Sequence, residues 1–398
     1  MAAKNQHATW KKTRKFFNDL HLWMGIGAGL ILFVVCLTGT IYTFSSEIQE
    51  MLEPEKYEVA IQPDTERLTA EEITERVQQA LPEGTVSSLR IPADESRSYE
   101  ASVRKEGERR GTTYRVDPYP GELKGTTQGA GSEFFMVVFR LHRWLLLDTE
   151  VGRPIVGVAT LIFVFIILSG LVIWFPQRVK SWRQGLKVKF SGGWKRINHD
   201  LHNALGFYSS ILLLVMALTG LQWSFEWYRT GLYNVLGVER SRGGHGPGGG
   251  EEKEAPVVET RTSELTVADF LSIADEVLPY EGDYRISLPE DPQGHVSITK
   301  YKTGFFAPSA GDNLELDPYT GEAISVEIFS DKPVNEQIAR SIKALHVGDF
   351  YGTFTKILYF ISCLIATSLP VTGTIIWINK LRKKSKRKAS RSQKKELV

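Results

Sequence analysis

Two histidines in this chain occupy matching positions at the start of long apolar segments. His21 and His202 each end an Asp-Leu-His triplet, and each lies 17 residues before the threonine of a Thr-Gly pair, at Thr38 and Thr219. Ionisable residues at the edge of a membrane segment are costly to place there, so they are candidates for function. A histidine repeated on two such segments predicts a pair of ligands for a group held between them.

A second and looser correspondence involves two further histidines. His142 and His346 each follow a leucine, and they precede Gly170 and Gly373, respectively, by nearly the same interval. Each of these glycines follows a small residue, and the two intervals differ only by a single insertion or deletion. The sequence therefore predicts a second histidine pair near the other edge of the membrane.

Three kinds of ligand compete for these pairs. Zinc would need about four ligands per site, with Cys or acid close to the histidines, and a proton relay would use Asp or Glu inside the membrane. Haem iron instead needs two axial imidazoles from facing helices, which four-helix bundles commonly supply. Haem fits best, with His21 opposite His202 and His142 opposite His346. His199 shares a helix face with His202 and is a rival or an additional ligand.

Small residues and cations near the histidines match the needs of a haem. Gly25 and Gly29 follow His21 at helical spacing and Gly206 follows His202, which gives room for a porphyrin on the face of the ligands. The alternative is that these glycines permit close packing of helices. Candidate partners for the haem propionates are Arg14, Lys15, Lys195 and Arg196 at one edge, and Arg140, Arg143, Arg153, Arg340 and Lys343 at the other.

The apolar segments are long enough to cross a bilayer, which takes about 20 apolar residues per helix. Stretches without Asp, Glu, Lys or Arg over such a length are 22–46, 154–177, 203–225 and 357–379. We therefore expect an integral membrane α-helical protein with four transmembrane helices in a bundle. Asp19 and Asp200 are expected to cap the starts of the first and third helices.

Basic residues beside the spans predict the orientation of the chain. The segment before the first span, the loop 178–200 and the tail 380–398 are rich in Lys and Arg, whereas the two long loops contain more acid. Both termini are therefore expected in the cytoplasm, with the long loops on the other side. A basic tail beside a span favours anionic lipid as its partner rather than nucleic acid.

The chain has the form of two related halves, each with a span, an outer segment and a second span. Leu-Thr pairs at 68–69 and 265–266 precede Leu-Pro pairs at 81–82 and 278–279 by equal intervals, and Asp-Pro-Tyr-x-Gly turns follow at 117–121 and 317–321. Thr69 and Thr266 are expected to cap helices. Alternating residues predict strands at 99–103, 113–116, 295–301 and 313–316. We expect one small α+β module in each half, with the glycine run 241–250 as a flexible linker.

These expectations divide the chain into nine parts. They are a cytoplasmic segment 1–20, a first span 21–46, an outer module with a pre-membrane helix 47–153, a second span 154–177, a basic loop 178–200, a third span 201–227, a linker with a second outer module 228–351, a fourth span 352–379 and a basic tail 380–398.

The combined pattern resembles the PepSY-associated transmembrane family over nearly the whole chain. The shared features are the Asp-Leu-His start of a span that ends in Leu-Thr-Gly, the Leu-His before the second and fourth spans, Gly-Arg-Pro at 152–154 and the paired Asp-Pro-Tyr-x-Gly turns. Members include inner-membrane ferric siderophore reductases of Gram-negative bacteria. The resemblance implies periplasmic PepSY modules and b-type haem bound by the histidines that correspond to His21, His142, His202 and His346.

The resulting hypothesis is an electron path across the bacterial inner membrane. An electron would enter at a haem near the cytoplasm, cross to a haem near the periplasm and reduce the Fe3+ of a ferric siderophore to Fe2+. Reduction would release the metal because hard oxygen donors hold ferric iron better than ferrous iron. The chain has no Rossmann fingerprint or flavin domain, so a quinol or another redox protein is the expected electron donor.

Other functions and the substrate site stay open from the sequence. The outer segments could bind or regulate a periplasmic partner without any redox role, or the bundle could transport iron or a siderophore. The transport hypothesis is weakened because the spans contain no charged residues and the helices are few. The outer approach to the site is expected near Arg143, Trp144, Asp349, Phe350 and Tyr351, although the aromatic residues are equally expected as an interfacial belt.

Overall fold

Among the residues that the computed structural model describes, four helices are long and apolar enough to cross a membrane. They cover Lys12–Tyr42, Thr149–Trp174, Trp194–Trp223 and Gly352–Lys383, which confirms a membrane helical protein. The structure describes residues 2–108, 111–175, 182–238, 265–287 and 294–396. The predicted linker 241–250 and part of the basic loop 178–200 lie outside these described residues.

The helices differ widely in length, from single turns to helices longer than a membrane span. They are α1 (Ala2–Tyr42), α2 (Ser45–Leu52), α3 (Pro54–Tyr57), α4 (Ala70–Ala80), α5 (Ser132–Trp144), α6 (Thr149–Trp174), α7 (Trp182–Gly185), α8 (Trp194–Gly220), α9 (Glu226–Leu236), α10 (Val267–Val277), α11 (Val334–Arg340), α12 (Ile342–Val347) and α13 (Gly352–Glu396). The spans are α1, α6, α8 and α13, and a short 3-10 turn, Leu221–Trp223, extends the third.

The four spans pack as a ring around a common centre. α1 packs most extensively against α6 and α13, and α8 packs against the same two helices. Buried apolar side chains fill part of the interior, with one cluster around Leu213 and Met216 and another around Ala28 and Leu32. In this order α1 and α8 lie diagonally opposite, so side chains from both can meet at the centre of the bundle.

The first and third spans begin well before their Asp-Leu-His triplets. Because α1 starts at Ala2 and α8 at Trp194, Asp19 and Asp200 lie inside helices, and the prediction that they cap helix starts is wrong. Lys and Arg are good helix formers, so the basic segments continue the helices beyond the apolar stretch. Asp200 instead accepts hydrogen bonds from the Arg196 Nε at 2.7 Å and the Lys189 backbone N–H at 3.3 Å.

The outer segments form one eight-stranded antiparallel sheet, not two separate sheets. Its strands are β1 (Gly84–Ile91), β2 (Tyr99–Lys105), β3 (Thr112–Val116), β4 (Leu123–Thr126), β5 (Gly282–Ser287), β6 (Val296–Lys302), β7 (Asp312–Leu316) and β8 (Ala323–Glu327). They lie in the order β4-β3-β2-β1-β5-β6-β7-β8. Within the described residues, each half contributes four strands and the helix that packs on them, α4 or α10, and the two sets of strands join in this single sheet.

The pairing of β1 with β5 joins the two sets of four strands. Leu89 lies opposite Ile286, and Arg90 lies opposite Arg285. The Arg90 guanidinium donates to the Asp283 carboxylate at 3.0 Å, which offsets the repulsion between the opposed cations. Without this pairing each half would expose the backbone of an edge strand, a common route to aggregation.

The predicted local signals of the outer segments are confirmed. Thr69 and Thr266 each accept a hydrogen bond at the start of a helix and complete a capping box. Gly121 and Gly321 have φ of +74° and +70°, which suits their position in the Asp-Pro-Tyr-x-Gly turns. Helices α4 and α10 then pack against the sheet in one continuous hydrophobic core.

The sheet lies near one end of the four-helix bundle. Pro308, which precedes β7, forms a bridge with Tyr351 at the start of α13, and the Ser309 N–H donates to the Phe350 carbonyl at 3.3 Å. We call this end of the bundle, where α13 begins, the sheet end. The opposite end, which contains Arg14 and Lys380, is called the basic end.

Candidate functional site

The structure brings the four predicted histidines together as two pairs. At the basic end, the ring centres of His21 and His202 are 6.4 Å apart. At the sheet end, the ring centres of His142 and His346 are 6.2 Å apart. Two metal–imidazole bonds of about 2.0 Å on opposite sides of one metal place the ring centres roughly 6 Å apart. Both pairs therefore have the spacing of two axial ligands to one metal ion.

All four imidazoles are held by hydrogen bonds to a neighbouring helix. In three of the rings Nδ1 hydrogen-bonds to a backbone carbonyl, and a carbonyl can only accept, so Nδ1 carries the proton and Nε2 keeps its lone pair. These bonds join His21 to Ile166 (3.0 Å), His142 to Val35 (2.9 Å) and His346 to Met216 (2.9 Å). His202 has the Leu369 backbone as a hydrogen-bond partner, and its Nδ1 lies 2.8 Å from the Thr372 hydroxyl oxygen. Metal-ligating histidines are oriented by such a bond from their second nitrogen.

The sheet-end histidines lie on α5 and α12, outside the membrane spans. Burial lowers the pKa of His142. Burial, with the neighbouring His142 as a further cause, lowers the pKa of His346 to about 4. Both rings are therefore neutral near pH 7, which is the form of histidine that binds a metal.

A cavity of about 1090 Å³ surrounds the basic-end pair. Its volume lies just above the range of roughly 300–1,000 Å³ that is usual for small-molecule sites. Gly25, Gly29 and Gly206 line it. A Cβ atom added to Gly25 would meet no atom within 4 Å, and one added to Gly206 would first meet Leu369 at 3.8 Å. These glycines thus border open space, which favours the prediction that they make room for a flat ligand.

Cationic side chains lie around the cavity at the basic end. Arg14, Lys15 and Arg196 line it, in agreement with three of the predicted propionate partners, and Lys380 joins them from α13. Lys195 is exposed and lies outside this lining. The sequence offered no separate signal for Lys380, because it belongs to a long basic tail in which many lysines look alike.

The sheet-end pair lies among aromatic side chains and one central cation. The ring of Trp223, a residue that the sequence did not single out, lies 5.0 Å from that of His346. The Arg143 guanidinium lies over the Trp223 and Trp144 rings at 5.9 and 5.8 Å. Arg340, another predicted propionate partner, forms an ion pair with Glu327. Arg143 is therefore the predicted cation best placed beside this pair.

His199 lies at the rim of the basic-end cavity. Its side chain is exposed, and its Nδ1 lies 3.2 Å from the amide nitrogen of Asn203. His202 is the residue whose ring faces His21. The geometry thus favours His202 over His199 as the partner of His21.

The donor set of each pair suits a metal that brings most of its own ligands. Among the described residues, no group of three or more His, Cys, Asp or Glu is arranged to hold a bare ion. Each pair supplies two imidazoles that face each other, whereas zinc takes about four ligands from a protein. A porphyrin supplies the remaining ligands itself, so the residues present fit haem.

The extent of the shared sequence pattern decides the family. The sequence profile of the PepSY-associated TM region matches residues 19–380, which include all four histidines and the whole sheet. The chain belongs to this family. No curated protein matches the chain. The assignment to the PepSY-associated family therefore rests on the profile and on nearly the full length of the chain.

Two glycines on α1 of this PepSY-associated protein allow a test of the cavity. Gly25 lines the cavity, whereas Gly27 is exposed on the outside of the helix. We expect Gly25→Leu to fill the space beside His21 and to remove most of the haem expected at the basic end, with Gly27→Leu as the matched control. Absorbance spectra of the purified variants at equal protein concentration measure the bound haem. Equal losses in both variants would attribute the effect to the helix instead of the cavity.

Proposed function

We propose that this protein is an inner-membrane haem b electron-transfer protein that reduces ferric siderophores, Fe3+ to Fe2+, in the periplasm. One observation carries the proposal: in both histidine pairs the ring centres have the spacing of two imidazoles that bind one metal ion, and a neighbouring helix holds all four rings by hydrogen bonds. His21 and His202 would hold one haem, and His142 and His346 the other. When bound, these haems would supply one-electron transfer between the two ends of the bundle.

The distance between the pairs supports a path across the membrane. Thr38 lies 17 residues after His21 on α1, and its Oγ1 is 3.3 Å from Nδ1 of His142. With a rise of about 1.5 Å per residue, this part of α1 spans roughly 26 Å. That length is close to the ~30 Å hydrocarbon core of a bilayer, so each pair would lie near one face.

The charge distribution supports the direction of this path. Arg14, Lys15, Arg196 and Lys380 at the basic end favour a cytoplasmic location for that end and for both termini. The sheet would then lie in the periplasm, and the basic tail would contact anionic lipid. A quinol or another redox protein would deliver electrons to the basic-end cavity.

A second cavity supports a position for the ferric siderophore. It measures about 410 Å³ and lies where the sheet meets the start of α13. Its lining includes the basic residues Arg90, Arg285 and Lys302 and the acids Asp283 and Asp349, and Asp349 is one of the residues predicted at the outer approach. Because Arg90 is paired with Asp283, Arg285 and Lys302 are the basic side chains that suit an anionic chelate. We assign the substrate approach to this cavity.

We also propose that the two halves arose by duplication of a unit with two spans and one α+β module. The same order of one helix and four strands occurs in both halves of the described chain. Each histidine pair also takes one member from each half. Both haem sites would then lie on the approximate symmetry axis between the halves.

A visible spectrum of the purified protein tests the proposed function. We expect a Soret band in the isolated protein, sharp α-bands after dithionite, and their loss when a ferric siderophore is added without oxygen. The absence of a Soret band would overturn the proposal and favour a role in binding or regulating a periplasmic partner. Reduced haem that no ferric chelate reoxidises would leave electron transfer but remove the proposed substrate.

A further inference from the structure

Each of the four spans carries a hydroxyl residue followed by glycine, and each such pair lies against one of the four histidines. The hydroxyl oxygen lies within hydrogen-bonding distance of the imidazole Nδ1 in every case. The contacts are Thr38 to His142 (3.3 Å), Ser169 to His21 (3.0 Å), Thr219 to His346 (3.3 Å) and Thr372 to His202 (2.8 Å). The glycines are Gly39, Gly170, Gly220 and Gly373.

The four hydroxyl groups all meet their imidazole as acceptors. A hydroxyl has one proton, and here it is donated to a backbone carbonyl one turn earlier on the same helix. These bonds join Thr38 to Val34 (2.7 Å), Ser169 to Ile166 (3.0 Å), Thr219 to Val215 (2.6 Å) and Thr372 to Ser368 (3.1 Å). At His21, His142 and His346 a lone pair of the hydroxyl therefore faces the Nδ1–H, beside the carbonyl three residues before the hydroxyl, so that the Nδ1–H lies between two acceptors of one helix turn. At His202 the partners come from the corresponding turn of α13, the Thr372 hydroxyl and the Leu369 backbone.

The glycine of each pair gives the imidazole its place against the helix backbone. A Cβ atom added to Gly220 would lie 2.9 Å from Cε1 of His346. At the other three glycines the corresponding distances are 3.2 Å for Gly39 to His142, 3.3 Å for Gly170 to His21 and 3.2 Å for Gly373 to His202. A larger side chain at any of these positions would push the ring out of its hydrogen bonds.

We propose that each hydroxyl–glycine pair, with the carbonyl three residues before the hydroxyl, positions a haem-ligating histidine, and that these supports are crossed between the two sites. α1 carries His21 for the basic end, yet its pair Thr38-Gly39 supports His142 at the sheet end. α8 likewise carries His202 for the basic end, whereas its pair Thr219-Gly220 supports His346 at the sheet end. α6 and α13 contribute no histidine to either pair, and they support the basic-end histidines.

This inference rests on the proposed haem ligation and adds residues that tune it. An acceptor at Nδ1–H fixes the ring and makes Nε2 a stronger donor to iron. A stronger donor stabilises the ferric form and lowers the reduction potential. The crossed arrangement also means that a change on one helix can alter the site at the far end of that helix, and not the site of its own histidine.

Two glycine variants test the crossing by counting which haem is lost. We expect Gly39→Val to lose the sheet-end haem and retain the basic-end haem, although Gly39 lies on the same helix as His21. Gly170→Val should lose the basic-end haem, and Gly27→Val on the exposed face of α1 should retain both. The one-haem spectra of His21→Ala and His142→Ala identify the haem that remains. Loss of the basic-end haem in Gly39→Val would overturn the inference.

A threonine variant of nearly unchanged shape tests the tuning. Thr372→Val removes the acceptor 2.8 Å from His202 Nδ1, so the midpoint potential of the basic-end haem should rise while that of the sheet-end haem stays constant. Thr372→Ser should restore the original potential. Thr160 on α6 is the matched control, because its hydroxyl bonds in the same way to the Val156 carbonyl and the residue lies outside the lining of the basic-end cavity. Spectroelectrochemical titration of the full-length protein measures both potentials.

The outcomes separate this inference from the proposed function. A wild-type protein without a Soret band would overturn both. A haem-loaded protein in which Thr372→Val and Thr160→Val have equal potentials, or in which Gly39→Val keeps both haems, would overturn the crossed supports and leave the proposed function in place.

Discussion

Replacing His142 with alanine is expected to remove one haem from the protein and to leave the other bound. A b-type haem has no covalent attachment, so the loss of one of two axial imidazoles removes a large share of what holds it; even an outer-shell partner is worth about 10–100-fold in metal affinity. His346→Ala should have the same spectrum. His21→Ala and His202→Ala should retain the other haem, because the two pairs lie at opposite ends of the bundle.

Haem per protein, measured as the pyridine haemochrome, gives the test of this prediction. Each single variant should contain about half of the wild-type haem, and the double variant His21→Ala/His142→Ala should contain none. His199→Ala is the matched control, since its exposed ring lies one turn from His202 on the same helix. A haem loss in His199→Ala equal to that in His202→Ala would contradict the assignment of His202 as the ligand.

Reduction of a ferric chelate is expected to depend on the two pairs in different ways. In detergent, with all bound haem first reduced by dithionite, His21→Ala should be reoxidised by a ferric siderophore at the wild-type rate, because the haem proposed at the sheet end would lie on the same side of the bundle as the proposed substrate cavity. His142→Ala should be reoxidised only at the slow rate of a haem shielded from the chelate, because the haem proposed at the basic end would lie about 26 Å along α1 from the sheet end. Stopped-flow absorbance measures both rates.

Proteoliposomes with the electron donor trapped inside add the transmembrane step. There both variants should fail to reduce a chelate outside, since each lacks one half of the path, whereas His199→Ala should reduce it normally. Transfer across the membrane by His21→Ala would contradict a path through the basic-end pair. Fast reoxidation of His142→Ala in detergent would mean that the chelate is reduced at the basic end, and would contradict the proposed substrate position at the sheet end.

Several parts of the fold followed from local patterns in the sequence. The four spans depend on the length of apolar stretches, and the caps at Thr69 and Thr266 depend on residues three positions apart. These local patterns did not predict that the two outer segments join in one sheet. Strand β1 pairs with β5 from the other half of the chain, and β1 and β5 were not among the predicted strands because their alternation is weak. Pairing over such a separation depends on how the halves meet in space.

The sequence alone identified the four histidines of the candidate sites, although not Lys380 or Trp223 beside them. A repeated His at a span edge and a constant offset of 17 residues to Thr-Gly identified His21, His202 and the two threonines. The sequence could not show which Thr-Gly pair contacts which histidine. Residues so far apart on a straight helix are separated by about 26 Å, so Thr38 cannot reach His21.

Only the tertiary structure decided these partnerships. Packing of α5 against α1 brings His142 to Thr38-Gly39, and packing of α6 against α1 brings Ser169-Gly170 to His21. The physical reason is that a sequence pattern indicates only the face of its own helix on which a residue lies and its position along that helix. Which histidine fills the space beside a glycine depends on the neighbouring helix that packs there.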